Sequence, residues 1–314
     1  MANIEQKSPA RLVTIDQEGA ERRLDNFLMS ELKGLPRTRV YRLIRKGEVR
    51  VNKGRSKPAY KLVLGDIVRI PPLHAVHGGA PSAPEADAVR SRWLLQHIIY
   101  EDDRVLVLDK PSGLAVHGGS GISLGAIELL RAALPDSHYM ELVHRLDRDT
   151  SGCLLVAKKR SALRSLHEQM RASDIDKRYQ VLLMGRWQGG QREIELPLQV
   201  DHRQNGERHV RVSSSGKAAH TRLTPLEIFA DCVLCEVELF TGRTHQIRVH
   251  AQAIGFPVAG DTRYGDSKNS PEALHRLFLH ASQLTWADPL SARAVSAAAP
   301  LPTTLEAVLK MLRQ

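Results

Sequence analysis

The chain has 314 residues, of which 42% are hydrophobic, 25% are charged and 4% are aromatic. This composition excludes a disordered or collagen-like chain, and the length is enough for two domains of roughly 100–200 residues each. Because 45 lysine and arginine residues outnumber 35 acidic residues, the formal net charge is +10, which favours polyanions as partners.

The sequence predicts no membrane partner. No apolar run approaches the roughly 18 residues that a bilayer span requires, and residues 1–11 lack the apolar core of a signal peptide. We therefore expect a soluble cytoplasmic protein.

The three cysteines are too few, and odd in number, for a disulfide framework, so Cys153, Cys232 and Cys235 are predicted to be reduced thiols. Cys232 and Cys235 have the spacing of half a zinc site. They lie in a strand-like run, however, and residues three apart on a strand point to opposite faces. We therefore expect both sulfurs to pack in the core and not to bind a metal.

The first predicted elements form a compact, basic segment at residues 11–73. Apolar residues recur at helical spacing over residues 22–32. A second helix is predicted from about Pro36, which suits a first helical turn, to Gly47, which suits the position just after a helix end. Short strands and a turn complete the segment, at residues 48–52 (strand), 52–55 (turn) and 61–70 (strand pair).

Basic residues cluster on the second predicted helix and on the turn after it. Between residues 36 and 57 the one acid is Glu48. Such a cluster can be a solvated face, but with almost no acid to pair with, a phosphate-binding surface is favoured. The basic residues are Arg37, Arg39, Arg42, Arg45, Lys46, Arg50, Lys53, Arg55 and Lys57.

This segment resembles an S4-type RNA-binding domain at residues 23–25 (RLD), 47–52 (GEVRVN) and 65–66 (GD). The resemblance implies contacts with folded RNA, chiefly with its backbone and shape, and such contacts position a protein without specifying sequence. It makes eight of the basic residues candidate RNA contacts: Arg37, Arg39, Arg42, Arg45, Lys46, Arg50, Lys53 and Arg55.

A change of composition separates this segment from the rest of the chain. Residues 74–92 carry Gly, Pro, Ala and Ser without periodicity, which predicts a flexible linker. From residue 93 to residue 314, strand-like runs alternate irregularly with helices, which favours an α+β domain over a regular βαβ array. The strand-like runs are residues 104–108, 153–157, 179–183 and 233–240.

A glycine-rich stretch at residues 119–125 raises the alternative of nucleotide binding. Its G-x-G-x-x-x-G spacing is one residue off the dinucleotide fingerprint, and no Walker-type Lys-Ser/Thr follows it. The acid about 20 residues further on, Glu141, opens a strand-like segment instead of closing one. A turn that caps the following helix is therefore favoured.

Two polar motifs could carry chemistry. Residues 144–152 (HRLDRDTSG) form a charged turn ahead of a strand, and residues 241–250 (TGRTHQIRVH) form a turn that leads into a helix. From these residues alone, a catalytic site and a salt-bridged hinge both remain open. His245 and His250 are five residues apart, about 140° around a helix, whereas a helical metal-binding pair is usually four apart, so a metal site is not favoured.

With these two motifs the chain resembles the RluA-type pseudouridine synthases. The resemblance covers nearly the whole chain, because these enzymes often carry an N-terminal S4 domain. The motifs that carry it, in chain order, are residues 100–103 (YEDD), 109–113 (DKPSG), 116–117 (VH), 144–147 (HRLD), 150–152 (TSG), 177–179 (KRY), 241–250 and 260–265 (GDTRYG).

The resemblance implies the isomerisation of specific uridines to pseudouridine in large-subunit (23S) ribosomal RNA or its assembly intermediates. The expected enzyme is a monomer that needs no cofactor, no metal and no protein partner. The implied fold is a largely antiparallel mixed sheet with helices, joined to the S4 domain. Two other functions remain open: a non-catalytic RNA-binding or ribosome-assembly factor, and a nucleotide-dependent enzyme that uses residues 119–125.

The same resemblance implies roles for individual residues. Asp147 is the implied nucleophile, and Arg248 is its basic partner, since an arginine within roughly 4–6 Å favours the charged form of a carboxylate. Tyr179 is implied to pack against the flipped uracil, and Arg145 to fill the space that the base leaves. Further candidate substrate contacts are Ile247, Arg243 and Thr244.

Overall fold

The computed structural model describes residues 10–32, 35, 37–72, 85–118, 124–137, 139–202, 208–265 and 270–314. The chain divides into two compact units, residues 1–89 and residues 90–314. No helix in these described ranges is long and apolar enough to cross a membrane.

The N-terminal unit combines two helices with a three-stranded antiparallel sheet of order β1-β3-β2. Apolar side chains from both helices and from the sheet share one buried cluster. Both predicted helices are confirmed, and Gly47, with φ of +71°, is the left-handed residue that ends the second. The elements are β1 (Arg11–Thr14), α1 (Leu24–Glu31), α2 (Arg37–Lys46), β2 (Arg50–Val51) and β3 (Ile67–Ile70).

The predicted strand pair at residues 61–70 is wrong in its first half, because only β3 forms a strand there. The carboxylate of Asp66 accepts hydrogen bonds from the Val63 N–H (2.9 Å), the Asn52 side chain (2.7 Å) and the Tyr60 hydroxyl (3.1 Å). The segment before β3 therefore bonds to the Asp66 side chain and does not form a second strand. The partner of β3 on this side is β1, whose mostly exposed residues carry no apolar alternation that would have predicted it.

Asp25, at the start of α1, is a buried acid that fastens the N-terminal unit. Only 1% of the residue is exposed, and its carboxylate accepts hydrogen bonds from Arg23 (2.7 and 3.1 Å) and from the Tyr41 hydroxyl (2.6 Å). The Arg23 hydrogen bond, opposed by burial, lowers the pKa of Asp25 from 3.8 to about 2. The contact therefore stabilises the unit above about pH 4, and this contribution is lost as the pH falls toward 2.

We expect Asp25→Ala to destabilise the N-terminal unit by about 1–3 kcal/mol, because the Tyr41 hydroxyl and the Arg23 guanidinium lose their acceptor. Hydrogen exchange of the α1 and α2 amides in the full chain at neutral pH measures this as faster exchange. Amides of the second unit serve as the internal control. Unchanged protection of α1 and α2 would show that the contact contributes nothing.

The C-terminal unit is built on a ten-stranded mixed sheet, so the predicted α+β architecture is confirmed. Among the described strands, the one parallel pairing joins β7 to β14, and the others are antiparallel. A separate hairpin consists of β10 and β11. Helix α3 (Glu85–Leu95) begins in the last residues of the first unit and ends in the second. The other elements of the second unit are β4 (Ile98–Glu101), β5 (Val105–Lys110), α4 (Ala126–Ala133), β6 (Glu141–Leu142), β7 (Ser151–Ala157), α5 (Arg160–Ala172), β8 (Asp176–Met184), β9 (Arg192–Ile194), β10 (Leu198–His202), β11 (Arg208–Val212), β12 (Thr221–Ile228), β13 (Cys232–Leu239), α6 (Gln246–Ala253), β14 (Leu279–Ala287), β15 (Ala294–Ala298) and α7 (Thr303–Leu312).

Helix α3 corrects part of the predicted linker at residues 74–92. Residues 85–92 are helical, whereas residues 74–84 lie outside the described residues. The helix buries Ser91 and Leu94 one turn apart but leaves Val89 and Trp93 substantially exposed. Its apolar residues therefore do not form a stripe, which is why periodicity does not reveal the helix.

Both faces of the sheet are covered, so its central strands are buried throughout. Along β7, Leu154 and Val156 pack in one cluster, whereas Cys153 and Leu155 pack in another on the opposite face. Helices α4 and α6 contribute to the first cluster and α5 to the second. The predicted strands of this domain are confirmed.

The predicted packing of Cys232 and Cys235 in the core is confirmed as well. Cys235 lies in the same cluster as α4 and α6, and Cys232 packs with α7 on the other face of β13. All three cysteines are free and buried. Burial raises the pKa of Cys232 to about 11, so this thiol stays protonated and unreactive at neutral pH.

The glycine-rich stretch contributes a helix cap. Gly125 is the N-cap of α4, and its N–H donates to the Glu128 carboxylate at 2.9 Å. This is the capping role that the sequence favoured for the end of the stretch. Residues 119–123 lie outside the described residues.

Candidate active site

A cleft of about 920 Å³ opens at one edge of the C-terminal unit. Most of its lining comes from the loop that leads into β7, the first half of β8, and the turn between β13 and α6; the end of α5, Val116 and Arg263 complete it. In the sheet, β14 lies between β7 and β8, and β13 pairs with the other side of β8. The sheet order therefore brings the motifs at residues 144–152 and 241–250 together, although about 100 residues separate them in the sequence.

Asp147 lies in the loop between β6 and β7, with 29% of its side chain exposed to the cleft. The Arg248 guanidinium (Nη1) and the His245 ring (Nε2) are each 3.8 Å from its Oδ2 atom. A cation on α6 thus stands beside the carboxylate, as the sequence analysis expects. At this distance the pair interacts by charge and not by a direct hydrogen bond.

Arg248 is fixed by a second acid. Its Nε and Nη2 atoms donate to the two carboxylate oxygens of Asp261, each at 2.7 Å, and this carboxylate is fully buried. Burial alone would raise the pKa of Asp261, but hydrogen bonding to Arg248 and its charge outweigh burial and lower it. The two-pronged contact leaves Nη1 as the guanidinium nitrogen that faces Asp147.

Tyr179 lies on β8 and lines the cleft with only 7% of its surface exposed. Burial, reinforced by the negative charge of Asp147, raises the pKa of Tyr179 above its usual value. The phenol is therefore protonated at neutral pH, and its ring offers a flat apolar face next to the carboxylate.

The second neighbour of Asp147, His245, has a hydrogen-bonded support of its own. Its Nδ1 atom is 2.7 Å from the Tyr264 hydroxyl, which accepts a hydrogen bond from the Val210 N–H at 3.1 Å. Burial, partly offset by the charge of Asp147, lowers the pKa of His245, so the ring is neutral near pH 7. The contact with Tyr264 holds the ring so that Nε2 is on the side of Asp147.

Comparison with known proteins identifies the chain. The family model of RNA pseudouridylate synthase matches residues 104–253, and the S4 domain model matches residues 22–68. The ribosomal large subunit pseudouridine synthase C of Yersinia pestis is 50% identical over 309 residues, 97% of this chain and 96% of that protein. The chain belongs to the RNA pseudouridine synthase family.

A second relative supports the same assignment, and a solved structure supports the fold. The ribosomal large subunit pseudouridine synthase C of Escherichia coli K12 is 49% identical over 310 residues, 96% of this chain and 97% of that protein. The human RNA pseudouridylate synthase domain containing 4 has the same fold, with a TM-score of 0.61 and 23% identity over 73% of this chain and 97% of the human chain. The predicted family and the enzyme class, an RNA-modifying isomerase, are confirmed.

The remaining candidate substrate contacts of this synthase occupy different positions. Arg145 is exposed and lines the cleft beside Asp147. Arg243 and Thr244 also line it, but α6 begins only at Gln246, so they precede the helix and are not part of its first turn. Ile247 is 95% buried in the main core cluster.

Gln246 holds the turn between β13 and α6, a role that the sequence analysis does not assign. Its side-chain oxygen accepts hydrogen bonds from the Arg243 N–H (2.9 Å) and the Thr241 hydroxyl (2.8 Å). Its amide group donates to the His220 carbonyl and the Thr221 hydroxyl, both at 2.9 Å. The turn is thus tied to β12, which fixes the edge of the cleft.

His245 and His250 serve separate networks. His250 is fully buried and contacts the Thr221 hydroxyl and the Leu196 carbonyl, both at 2.9 Å, on the side away from the cleft. Within the described ranges, no three His, Cys, Asp or Glu side chains are placed to hold a metal ion.

The candidate RNA contacts of the S4 domain lie in the N-terminal unit. Arg39 is half-buried, and Arg37 has a side chain outside the described residues. The exposed candidates are Arg42, Arg45, Lys46, Arg50, Lys53 and Arg55. In the part of this unit that the structure describes, none of these six side chains forms an ion pair with an acid.

Proposed function

We propose that this enzyme converts uridines of large-subunit ribosomal RNA to pseudouridine, with Asp147 as the nucleophile that acts on a flipped-out base. Relatives about 50% identical over nearly the whole chain, whose names specify the large ribosomal subunit, support the substrate. The S4 domain supports it too, since its exposed cations can bind the RNA backbone.

The charges around the cleft favour a polyanionic substrate. Asp147 is the one acid among the described residues that line it. A cleft whose lining is mainly positive concentrates negative charge, so the RNA backbone is attracted to it. The lining cations are Arg145, Arg171, Lys177, Arg243 and Arg263.

The position of Asp147 is the observation that carries the proposed chemistry. Arg248 and His245 approach its Oδ2 atom only to 3.8 Å, and 29% of the side chain is exposed in the cleft, so the carboxylate is accessible to a substrate. The isomerisation breaks the N1–C1′ and C5–H bonds of uridine, turns the uracil, and forms the C5–C1′ and N1–H bonds, so one proton leaves C5 and one is gained at N1. No atom is added overall and no electron is transferred, so the reaction needs a positioned nucleophile and a proton transfer but no oxidant or reductant.

The target base must leave its stack before Asp147 can reach it, which costs a few kcal/mol. Two side chains are placed to offset this cost. The buried ring of Tyr179 can stack on the extruded uracil, and the exposed guanidinium of Arg145 can take the place of the base in the RNA. Arg243 and Thr244, on the cleft edge, are placed to contact the backbone.

The test is incubation of the full chain with unmodified large-subunit RNA, without added nucleotide, followed by chemical mapping of pseudouridine. Small-subunit RNA of the same preparation is the control. We expect pseudouridine at a limited set of positions in the large-subunit RNA only. Binding without product would favour a non-catalytic RNA-binding factor, a requirement for ATP or NAD would favour a nucleotide-dependent enzyme, and equal modification of both RNAs would contradict the proposed substrate.

A further inference from the structure

Lys177, which has no part in the chemistry described above, is the buried cation of the cleft. It lies on β8 two residues before Tyr179, so both side chains are on the same face of the strand. Only 7% of Lys177 is exposed, whereas the other lining cations are exposed. Its side chain lines the cleft, which is where its ammonium group meets solvent.

The Lys177 ammonium lacks the partners that a buried lysine normally has. Among the residues that the structure describes, none accepts a hydrogen bond from it or forms an ion pair with it, and Asp176 supplies the one charge that acts on it. Asp176 is near enough to attract it, but the Asp176 carboxylate accepts two hydrogen bonds from Arg178, at 2.9 and 3.0 Å. Burial of an unpaired ammonium is unfavourable, and it lowers the pKa of Lys177.

A second buried lysine of the same unit shows the usual arrangement. Lys110 is fully buried, and its ammonium donates to the carbonyl groups of Pro111 (2.8 Å), Leu114 (2.8 Å) and Arg148 (3.0 Å). The fold therefore satisfies a buried ammonium where it has a structural role. At Lys177 it supplies no such acceptors, so the ammonium, which reaches the cleft, is open to a partner from outside the chain.

The surroundings of Lys177 select an anion as that partner. Nearby His144 is neutral, because burial lowers its pKa to about 4, and its Nε2 atom accepts a hydrogen bond from the Leu155 N–H at 3.1 Å. Arg171, at the end of α5, adds a second positive charge to this part of the cleft. Asp147, the acid of the cleft, acts on Tyr179 but is not among the charges that act on Lys177.

We propose that Lys177 binds a backbone phosphate of the RNA beside the flipped nucleotide. The proposal rests on the proposed function, since it assumes that the base reaches Asp147 and Tyr179. Residues two apart on a strand are separated by about 6.6 Å, so Lys177 is within reach of the nucleotide whose base packs against Tyr179. A lysine suits this contact because it binds phosphate as a point charge. Lys177 is thus a positioning residue.

The salt dependence of RNA binding tests this contact. The dissociation constant of the full chain for an unmodified large-subunit RNA transcript is measured over a series of KCl concentrations. We expect Lys177→Met to weaken binding and to reduce the slope of log Kd against log salt by about 0.7–0.9, the loss of one phosphate contact. Lys177→Arg, which keeps the charge, should retain the wild-type slope.

Lys310→Met is the matched control, because Lys310 is exposed on α7 and does not line the cleft. It removes the same charge and should leave the slope unchanged. A wild-type slope for Lys177→Met, or an equal reduction for Lys310→Met, would overturn the proposal. Thermal unfolding of Lys177→Met distinguishes a folding defect from a lost contact. If the variant is unfolded under the binding conditions and the slope changes for that reason alone, the result counts against the proposal. Failure of the wild-type protein to form pseudouridine is a different result, which contradicts the proposed function instead.

Discussion

Asp147→Asn is expected to lower the rate of pseudouridine formation by a factor on the order of 10⁴ or more, comparable with the loss of a catalytic nucleophile in other enzymes. Asparagine has the shape of aspartate but carries no negative charge and is a poor nucleophile. The carboxylate is partly exposed in the cleft and makes no direct hydrogen bond with Arg248 or His245, so its replacement should not disturb the fold. Single-turnover conversion of large-subunit RNA measures the effect.

RNA binding by the same variant provides the control. Asp147 is the one acid among the described residues of the cleft lining, so its removal makes the cleft more positive. We therefore expect Asp147→Asn to bind RNA at least as tightly as the wild type, in contrast to its lost activity. A variant that forms pseudouridine at the wild-type rate would show that Asp147 is not the nucleophile. A variant that loses binding as well as activity would indicate a structural role.

The sequence predicts the elements of this fold wherever apolar spacing and end signals agree. In α2, the predicted start near Pro36 and end at Gly47 coincide with the observed Arg37–Lys46. In β7, a short apolar run gives a strand that is buried on both faces. Local patterns fail where other parts of the chain decide the structure: β1 is a strand because it pairs with β3, and its own residues carry little signal.

The candidate site shows the same limit. The motif resemblance identifies Asp147 and Arg248 as candidate site residues, and the structure places them 3.8 Å apart. The roles of His245 and Lys177 follow only from distances in the folded chain. The left-handed conformation of His245 (φ of +53°) turns its ring toward Asp147, and no spacing rule predicts that conformation for a histidine. The sequence likewise cannot show that Lys177 lacks an acceptor, because its neighbours come from distant parts of the chain.

Arg248 is expected to affect both stability and activity, because it contacts two acids. Arg248→Met leaves the fully buried carboxylate of Asp261 without its cation, and breaking a buried pair in this way typically costs about 3–5 kcal/mol. Two backbone N–H groups, of Arg263 (2.9 Å) and Tyr264 (3.0 Å), still donate to Asp261, so the lower end of this range is expected. Urea unfolding of the full chain measures the loss.

The pH dependence of stability shows how much of the loss comes from the Arg248–Asp261 ion pair. The folded-state pKa of Asp261 is lowered from 3.8, so the pair stabilises the protein above the unfolded-state value and loses this contribution as the pH falls through the folded-state value. In Arg248→Met, most of the contribution that this pair makes to the free energy of unfolding above about pH 4 should be absent. A variant whose stability follows the wild-type curve would show that the pair contributes little.

The double variant Arg248→Met/Asp261→Asn separates the structural role of Arg248 from its effect on Asp147. Asparagine at position 261 still accepts the two backbone hydrogen bonds but needs no cation, so most of the lost stability should return. Activity should not return, because Asp147 still lacks the guanidinium 3.8 Å from its Oδ2 atom. Low turnover in a stable double variant would therefore show that Arg248 contributes to the reaction. Wild-type turnover would show that its role is structural, limited to binding Asp261 and the turn that follows α6.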